Sequence, residues 1–259
     1  MLRGVYTAAS GMLLEALKTD VVANNLANVS TNGYKRQQVS TRSFPEMLLQ
    51  RVNDPIQLGR RIVDPRPWIG FLGTGAAIDA LTLEMSPASI RFTDNPLDLA
   101  IDGPGFFAVL TETGEVAYTR DGRLRVDAEG YLATLDGLLV LGATGPIYVG
   151  DGRPVIDSEG QVWVEGALAG QIALWEFPDP RALSRLGSNL LAATEGSGEA
   201  VLAANTRVQP GHLESANVNV VREMVDLIAT QRAYEANQKM IQVQDETLAR
   251  LINDAATMA

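Results

Sequence analysis

The chain carries helical periodicity at its two ends, and that placement constrains its fold more than any other feature. From Asn217 to Asn253, Met224, Leu227, Tyr234, Ile241, Leu248 and Ile252 fall on one helical row, with Gln231, Gln238 and Asp245 filling the remaining steps. Val225, Ala229, Ala236, Met240 and Val243 form a second row. Two apolar rows on one long helix imply contact with more than one neighbour. Glu235 with Lys239 and Glu246 with Arg250 are i,i+4 pairs in the favourable order, worth about 0.2–0.5 kcal/mol each. Asn217 or Asn219 is placed to cap the start. Nothing nearby in sequence can partner this helix, so its partner must lie far away in the chain.

The first thirty residues supply one. Leu2, Val5, Ala9, Met12, Ala16, Ala23 and Leu26 mark a row, with Tyr6, Leu13 and Leu17 beside it. The small residues Ala8, Ala9, Gly11 and Ala16 allow another helix to come close. Asn24, Asn25, Asn28 and Gly33 then end the helix, because Asn amides compete for backbone groups and Gly tolerates positive φ. Glu15, Lys18 and Asp20 interrupt this stretch, which therefore reads as neither a secretory signal nor a membrane span.

Between the ends, residues 37–92 read as an extended connector. Phe44, Met47, Leu48 and Leu49 suggest a short helix or an anchoring patch, and Ile78, Ala80, Leu81 and Leu83 a strand. Asp54-Pro55, Asp64-Pro65-Arg66-Pro67 and the glycines from Gly70 to Gly75 break any longer element. A connector of this length with little regular structure is uncommon inside a compact domain. From about Thr93 the period becomes alternating. Hairpins are expected at Phe107–Leu110 with Val116–Arg120, at Arg123–Val126 with Tyr131–Thr134, and at Pro154–Ile156 with Gln161–Val164, each with a Gly at its turn. Gln171–Phe177 reads as a further strand and Arg181–Glu199 as loop. The β region is expected to close near Asn205, and Pro210-Gly211 marks the return to helix. The fold class is α+β: long, coiled-coil-like terminal helices flanking an extended connector and a mainly antiparallel β domain. The expected divisions are 1–36, 37–92, 93–209 and 210–259, the last helix pairing with the first.

Few chemistries fit these residues. The chain of 259 residues has no cysteine and one histidine, which leaves out disulfides, thiolate chemistry and the usual zinc ligand sets. A net charge of −10 with dispersed Lys and Arg argues against nucleic acid as a partner. Asp98, Asp102, Asp121, Asp127, Asp136, Asp151 and Asp157 could supply paired carboxylates, but most sit beside turn glycines, where Asp bonds backbone. Neither Asp151-Gly152 nor Gly103-Pro104-Gly105 has the spacing of a calcium or phosphate loop, and Ser10 and Ser188 lack a nucleophile elbow. No catalytic, metal or cofactor residue is nominated; assembly is what remains. If each terminal helix carries more apolar surface than one partner covers, other copies must complete its burial, and the termini order fully on polymerisation.

Several stretches resemble the bacterial flagellar rod and hook protein family. They are Ala23-Asn24-Asn25-Leu26-Ala27-Asn28-Val29-Ser30-Thr31-Asn32-Gly33-Tyr34-Lys35-Arg36, Asn95 to Phe107, Tyr118-Thr119-Arg120-Asp121-Gly122, Leu213 to Val221, and Ile228 to Asn237. The wording is most similar to the distal rod branch, with the proximal rod branch next. The resemblance implies a structural subunit of the basal-body rod, not an enzyme, exported by the flagellar type III apparatus without a cleaved signal. It implies a tubular polymer of copies of itself beside other rod and hook subunits, terminal helices inside and β domain outside. The residues expected at assembly contacts are Asn24, Asn25, Leu26, Asn28, Gly33, Tyr34, Asn217, Val218, Val221, Gln231, Arg232, Tyr234 and Asn237. Two other readings stay open: an envelope-associated module whose β domain binds a polysaccharide, and a hydrolase working through paired Asp.

Overall fold

The computed structural model describes residues 2–52, 56–58, 61–63, 66–203 and 206–257. The breaks expected at Asp54-Pro55 and Asp64-Pro65 and the boundary near Asn205 lie outside these residues. The architecture is α+β. Helix α1 spans Leu2–Ala27, helix α2 spans Val220–Thr257, and a mainly antiparallel β region lies between them in sequence. The chain divides into two compact units. One comprises Met1–Ala23, Val39–Leu81 and Met224–Ala259; the other comprises Asn24–Gln38 and Thr82–Glu223.

In the first unit the helices run antiparallel and touch through small side chains. Thr19 Oγ1 lies 3.1 Å from Thr230 Oγ1, and a Cβ added to Gly11 would lie 3.0 Å from Asn237 Nδ2. Gly4 likewise faces the Gln244 amide. Gly4, Gly11 and Thr19 share one face of α1, so the helices meet where least side chain intervenes. The expected row of Val5, Ala9, Met12 and Ala16 is half-buried, while Tyr6, Leu13 and Leu17 point away and are exposed.

The connector is more regular than its sequence suggests. Gln37–Ser43 pairs with Ala76–Leu83, Met47–Gln50 with Trp68–Leu72, and Ile56–Leu58 with Arg61–Val63. These pairs nest into a two-stranded ribbon, and no helix forms at Phe44–Leu49. The ribbon hides from an alternation test because Met47 and Leu48, or Trp68 and Ile69, put exposed apolar groups on both of its faces.

The second unit is built on the strand Phe106–Leu110. It pairs with Val116–Thr119 on one edge and with Leu139–Gly142 and Leu174–Glu176 on the other. Its side chains alternate between two cores. Phe107 and Val109 pack with Leu99, Leu124, Leu132 and Val140, whereas Phe106 and Ala108 pack with Leu83, Tyr118, Phe177 and Leu191. A strand covered on both faces reads as a continuous apolar run. All three expected hairpins are present, at Phe106–Leu110 with Val116–Thr119, Leu124–Val126 with Leu132–Thr134, and Pro154–Ile156 with Gln161–Val164. The strand expected over Gln171–Phe177 is two, Ala167–Gln171 and Leu174–Glu176.

Arg181–Glu199, expected as loop, instead contains the paired strands Ser184–Gly187 and Leu190–Ala192. Ser188 and Asn189 turn between them at φ of 45° and 58°, the left-handed pair that a tight hairpin needs. The strands are too short to announce themselves; Tyr118 pairing with Leu191 fixes them to the sheet. Phe107→Ala should cost about 3–5 kcal/mol of unfolding free energy, since it empties a wholly buried site; guanidinium unfolding of the full chain measures it.

Candidate functional site

Within the second unit, the last turn of α1, the loop after it and the first turn of α2 converge on a buried polar cluster. Asn25 is fully buried, and its amide acts as a strand neighbour to Gln37: Nδ2 donates to Gln37 O at 2.9 Å and Oδ1 accepts from Gln37 N at 2.9 Å. The Tyr34 hydroxyl lies 2.9 Å from Asn24 Oδ1 and 3.0 Å from Asn25 Oδ1. Burial raises the pKa of that phenol, which stays protonated and able to donate. Asn28 Nδ2 donates back to Asn24 O at 2.8 Å, satisfying a carbonyl at the helix end.

The charges lie beside this turn. Glu214 accepts from Lys35 Nζ at 2.6 Å, from Arg120 Nη1 at 3.1 Å and from the Ala88 amide at 3.2 Å. Its backbone oxygen accepts from the Gly33 amide at 2.8 Å. Burial alone would push the Glu214 carboxyl up, but Arg120 and Lys35 outweigh it and hold the pKa below the ordinary glutamate value. Burial and the Arg120 charge lower the Lys35 ammonium. Glu223, also fully buried, accepts from Arg36 Nε and from Asn25 Nδ2. Asn217 Oδ1 accepts from Arg36 N at 2.6 Å, and its Nδ2 donates to Glu84 O at 2.7 Å. The cap of α2 is therefore Asn219, whose Oδ1 accepts from Arg222 N at 3.1 Å. The hairpin at 184–192 closes over the loop: the Arg185 guanidinium lies 4.1 Å from the Tyr34 ring centre and donates to Lys35 O, and Asn189 Nδ2 donates to Asn32 O at 2.9 Å.

Three family models match the chain. "Flagella basal body rod protein" covers residues 5–35, "Flagellar hook protein FlgE/F/G D1 domain" covers 100–164, and "Flagellar basal body rod FlgEFG protein C-terminal" covers 209–254. The "Flagellar basal-body rod protein FlgG" of Borreliella burgdorferi is 35% identical over 96% of this chain and 97% of that protein. The protein of the same name from Caulobacter vibrioides is 35% identical over 95% and 97%. A Bacillus subtilis "Flagellar hook-basal body complex protein FlhO" is 31% identical over 98% of each. The chain belongs to the flagellar basal-body rod protein family. The three segments that carry the rod-family match meet in the polar cluster: Asn25, Tyr34 and Lys35 come from the first, Arg120 from the second, and Glu214, Asn217 and Glu223 from the third.

The residues expected at assembly contacts fall into two groups. Asn24, Asn25, Asn28, Gly33, Tyr34 and Asn217 lie in or beside this internal cluster, with Leu26 and Val218 half-buried nearby in sequence. Val221, Gln231, Arg232 and Tyr234 are exposed on α2, and Asn237 faces Gly11. Glu84, Arg120, Arg185, Asn189, Glu214 and Glu223 were missed. Arg120 and Glu214 sit inside the family-like stretches, where nothing local marks either charge as buried. Three of the aspartates behave as turn residues: Asp121 accepts from the amide of Arg123, Asp127 from those of Glu129 and Tyr131, and Asp157 from those of Glu159 and Gln161. His212 Nδ1 lies 2.8 Å from Pro210 O, and its ring packs edge-on to Phe92. Among the described residues no group of His, Cys, Asp or Glu could hold a metal ion.

Gly33 has φ of 66°, and a Cβ there would stand 2.3 Å from the Arg120 carbonyl carbon. Gly33→Ala should therefore lose well over the roughly 1–2 kcal/mol that a left-handed conformation alone costs, read as a fall in Tm. The depressed Glu214 pKa stabilises the fold at pH above the unfolded value of about 4.3, and this is lost as pH falls through the folded value. Glu214→Gln, which strands Lys35 and Arg120, should cost about 3–5 kcal/mol near neutral pH. Its penalty should shrink below about pH 4.3, when denaturant midpoints of variant and parent are compared across that range.

Proposed function

We propose that this protein is a structural subunit of the flagellar basal-body rod, of the distal type, polymerising through its terminal helices into the torque-transmitting shaft. The observation that carries the reading is the convergence of all three family-matched segments on one buried cluster, which holds the end of α1 and the start of α2 together. Beyond it the helices present apolar groups to solvent. Tyr6 and Leu13 on α1 are 73% and 69% exposed, and Val225, Ile228 and Val243 on α2 are exposed as well. Unpartnered apolar rows of this kind mark association surfaces.

The partners are further copies of this chain and neighbouring rod and hook subunits, the location is the basal body, and nucleic acid is not among the ligands. Export proceeds through the flagellar apparatus without cleavage of a signal, and the role is structural rather than enzymatic. No described helix is long and apolar enough to cross a membrane. The domain divisions 1–36, 37–92, 93–209 and 210–259 and the thirteen assembly residues named from the sequence belong to this proposal.

Mass spectrometry of purified hook–basal bodies tests it directly. Many copies of this chain relative to hook protein are expected, a handful would indicate the proximal rod, and absence would overturn the rod reading. Leu26→Asp with Tyr234→Asp should abolish motility while the β region stays folded by circular dichroism.

A further inference from the structure

Asn32 is the one asparagine of the chain that precedes a glycine. In such a pair the glycine amide nitrogen lies within reach of the asparagine side-chain carbonyl, and no Cβ shields it. In the second unit the fold holds this peptide bond by both of its polar groups. Its carbonyl, that of Asn32, accepts from Asn189 Nδ2 at 2.9 Å, and its N–H, that of Gly33, donates to Glu214 O at 2.8 Å. Gly33 is buried at φ of 66°, and a Cβ placed there would overlap the Arg120 carbonyl, so neighbouring backbone leaves it no room to turn. Arg120, Asn189 and Glu214 come from three separate stretches, and the grip exists only once folding has brought them together.

We propose that Asn32 is a deamidation site of the unfolded chain that folding shuts, which makes this peptide bond a timer on how long a chain stays unfolded. In the open chain the Gly33 nitrogen gives its proton to solvent base and attacks Asn32 Cγ. The new N–Cγ bond closes a cyclic imide, the Cγ–Nδ2 bond breaks, and the side-chain nitrogen leaves as ammonia. Water then adds to one of the two imide carbonyls. Addition at Cγ breaks the N–Cγ bond and leaves aspartate. Addition at the Asn32 main-chain carbonyl breaks its bond to the Gly33 nitrogen and leaves isoaspartate, with the backbone running through Cβ and Cγ. Water in and ammonia out balance the change, and nothing is oxidised or reduced.

In the folded molecule both halves of the first step are opposed. The proton that must leave is donated to Glu214 O, and the carbonyl that must join the ring is held by Asn189. Releasing them leaves buried polar groups without partners. Reaction therefore passes through opened molecules, and its rate follows the fraction that is open. The isoaspartate product lengthens the backbone between Asn32 Cα and the Gly33 nitrogen, so the carbonyl and the N–H no longer both reach Asn189 and Glu214. A chain aged in this way cannot rebuild the loop beneath the 184–192 hairpin or bring Tyr34 and Lys35 into the buried cluster.

The test incubates the full chain in mildly alkaline buffer, native and in guanidinium, and follows each asparagine by peptide mass spectrometry, with isoaspartyl methylation to count the rearranged product. In guanidinium the Asn32 peptide should convert ahead of every other asparagine, and the native chain should convert it at least tenfold more slowly. Asn189→Asp keeps a residue that tolerates the left-handed turn but removes the donor to Asn32 O. It should raise the native rate severalfold and leave the rate in guanidinium unchanged, with circular dichroism confirming that the variant is folded. After ageing in guanidinium and dilution, the parent should regain its circular dichroism only to the extent that isoaspartate has not formed, whereas Asn32→Gln aged alongside should refold like fresh protein. Equal rates in native and unfolded chain, or an Asn32 peptide that converts no faster than the others in guanidinium, would overturn the proposal. So would an aged parent that refolds as fully as aged Asn32→Gln, and neither comparison depends on the Asn189 variant folding.

Discussion

The carboxylate of Glu214 is the point on which the second unit turns. Burying an ion costs several kcal/mol even after relaxation, and only close pairing with every lone pair satisfied offsets that. Lys35, Arg120 and the Ala88 amide meet this demand from three separate stretches of chain. Each stretch is thereby fixed against the others, because moving any one leaves charge buried without its partner. A cluster of this type specifies arrangement more than it adds stability. Here it specifies how the chain leaves one helix and enters the other.

A second constraint is the fate of backbone groups at the end of α1. The carbonyls of the last turn lose their helical partners and must find others. The Asn28 side chain and the loop amides supply them, and Asn25 lets the chain re-emerge as a strand by standing in for a neighbouring strand at Gln37. Short amides manage both tasks since each carries a donor and an acceptor within one residue of the backbone. The Arg185 guanidinium lying on Tyr34 closes the loop from the other side and adds a cation–π contact.

Along the helices the logic reverses. Where α1 and α2 touch, Gly4 and Gly11 bring the backbones close, and the bulky groups are carried on the other faces. Leu13, Leu17, Ile228 and Val243 stay exposed. The same holds for Trp68 and Phe71 on the ribbon, which pack edge-to-face on each other while staying exposed.

The amino-acid sequence by itself determined the helices at both ends, the three glycine-turned hairpins and the turn role of Asp121, Asp127 and Asp157. Each is a local property: a 3.6-residue or two-residue period, or a side chain bonding its own backbone two to four residues on. The Asn24–Arg36 wording also carried the family. Tertiary structure decided the rest. The small residues Ala8, Ala9, Gly11 and Ala16 pointed to close approach along α1, and Gly11 does face α2; that Gly4 and Thr19 join it there was decided by the fold, because a row of apolar residues does not register the absence of a side chain. Arg120, Arg185, Glu214 and Glu223 look like ordinary surface charges in the sequence. They become a network only when segments 94 to 187 residues apart are brought within hydrogen-bond reach. Strands 184–187 and 190–192 exist because a sheet edge at Tyr118 was there to receive them. No local pattern carries such information, since burial and pairing belong to neighbours that only the completed fold supplies.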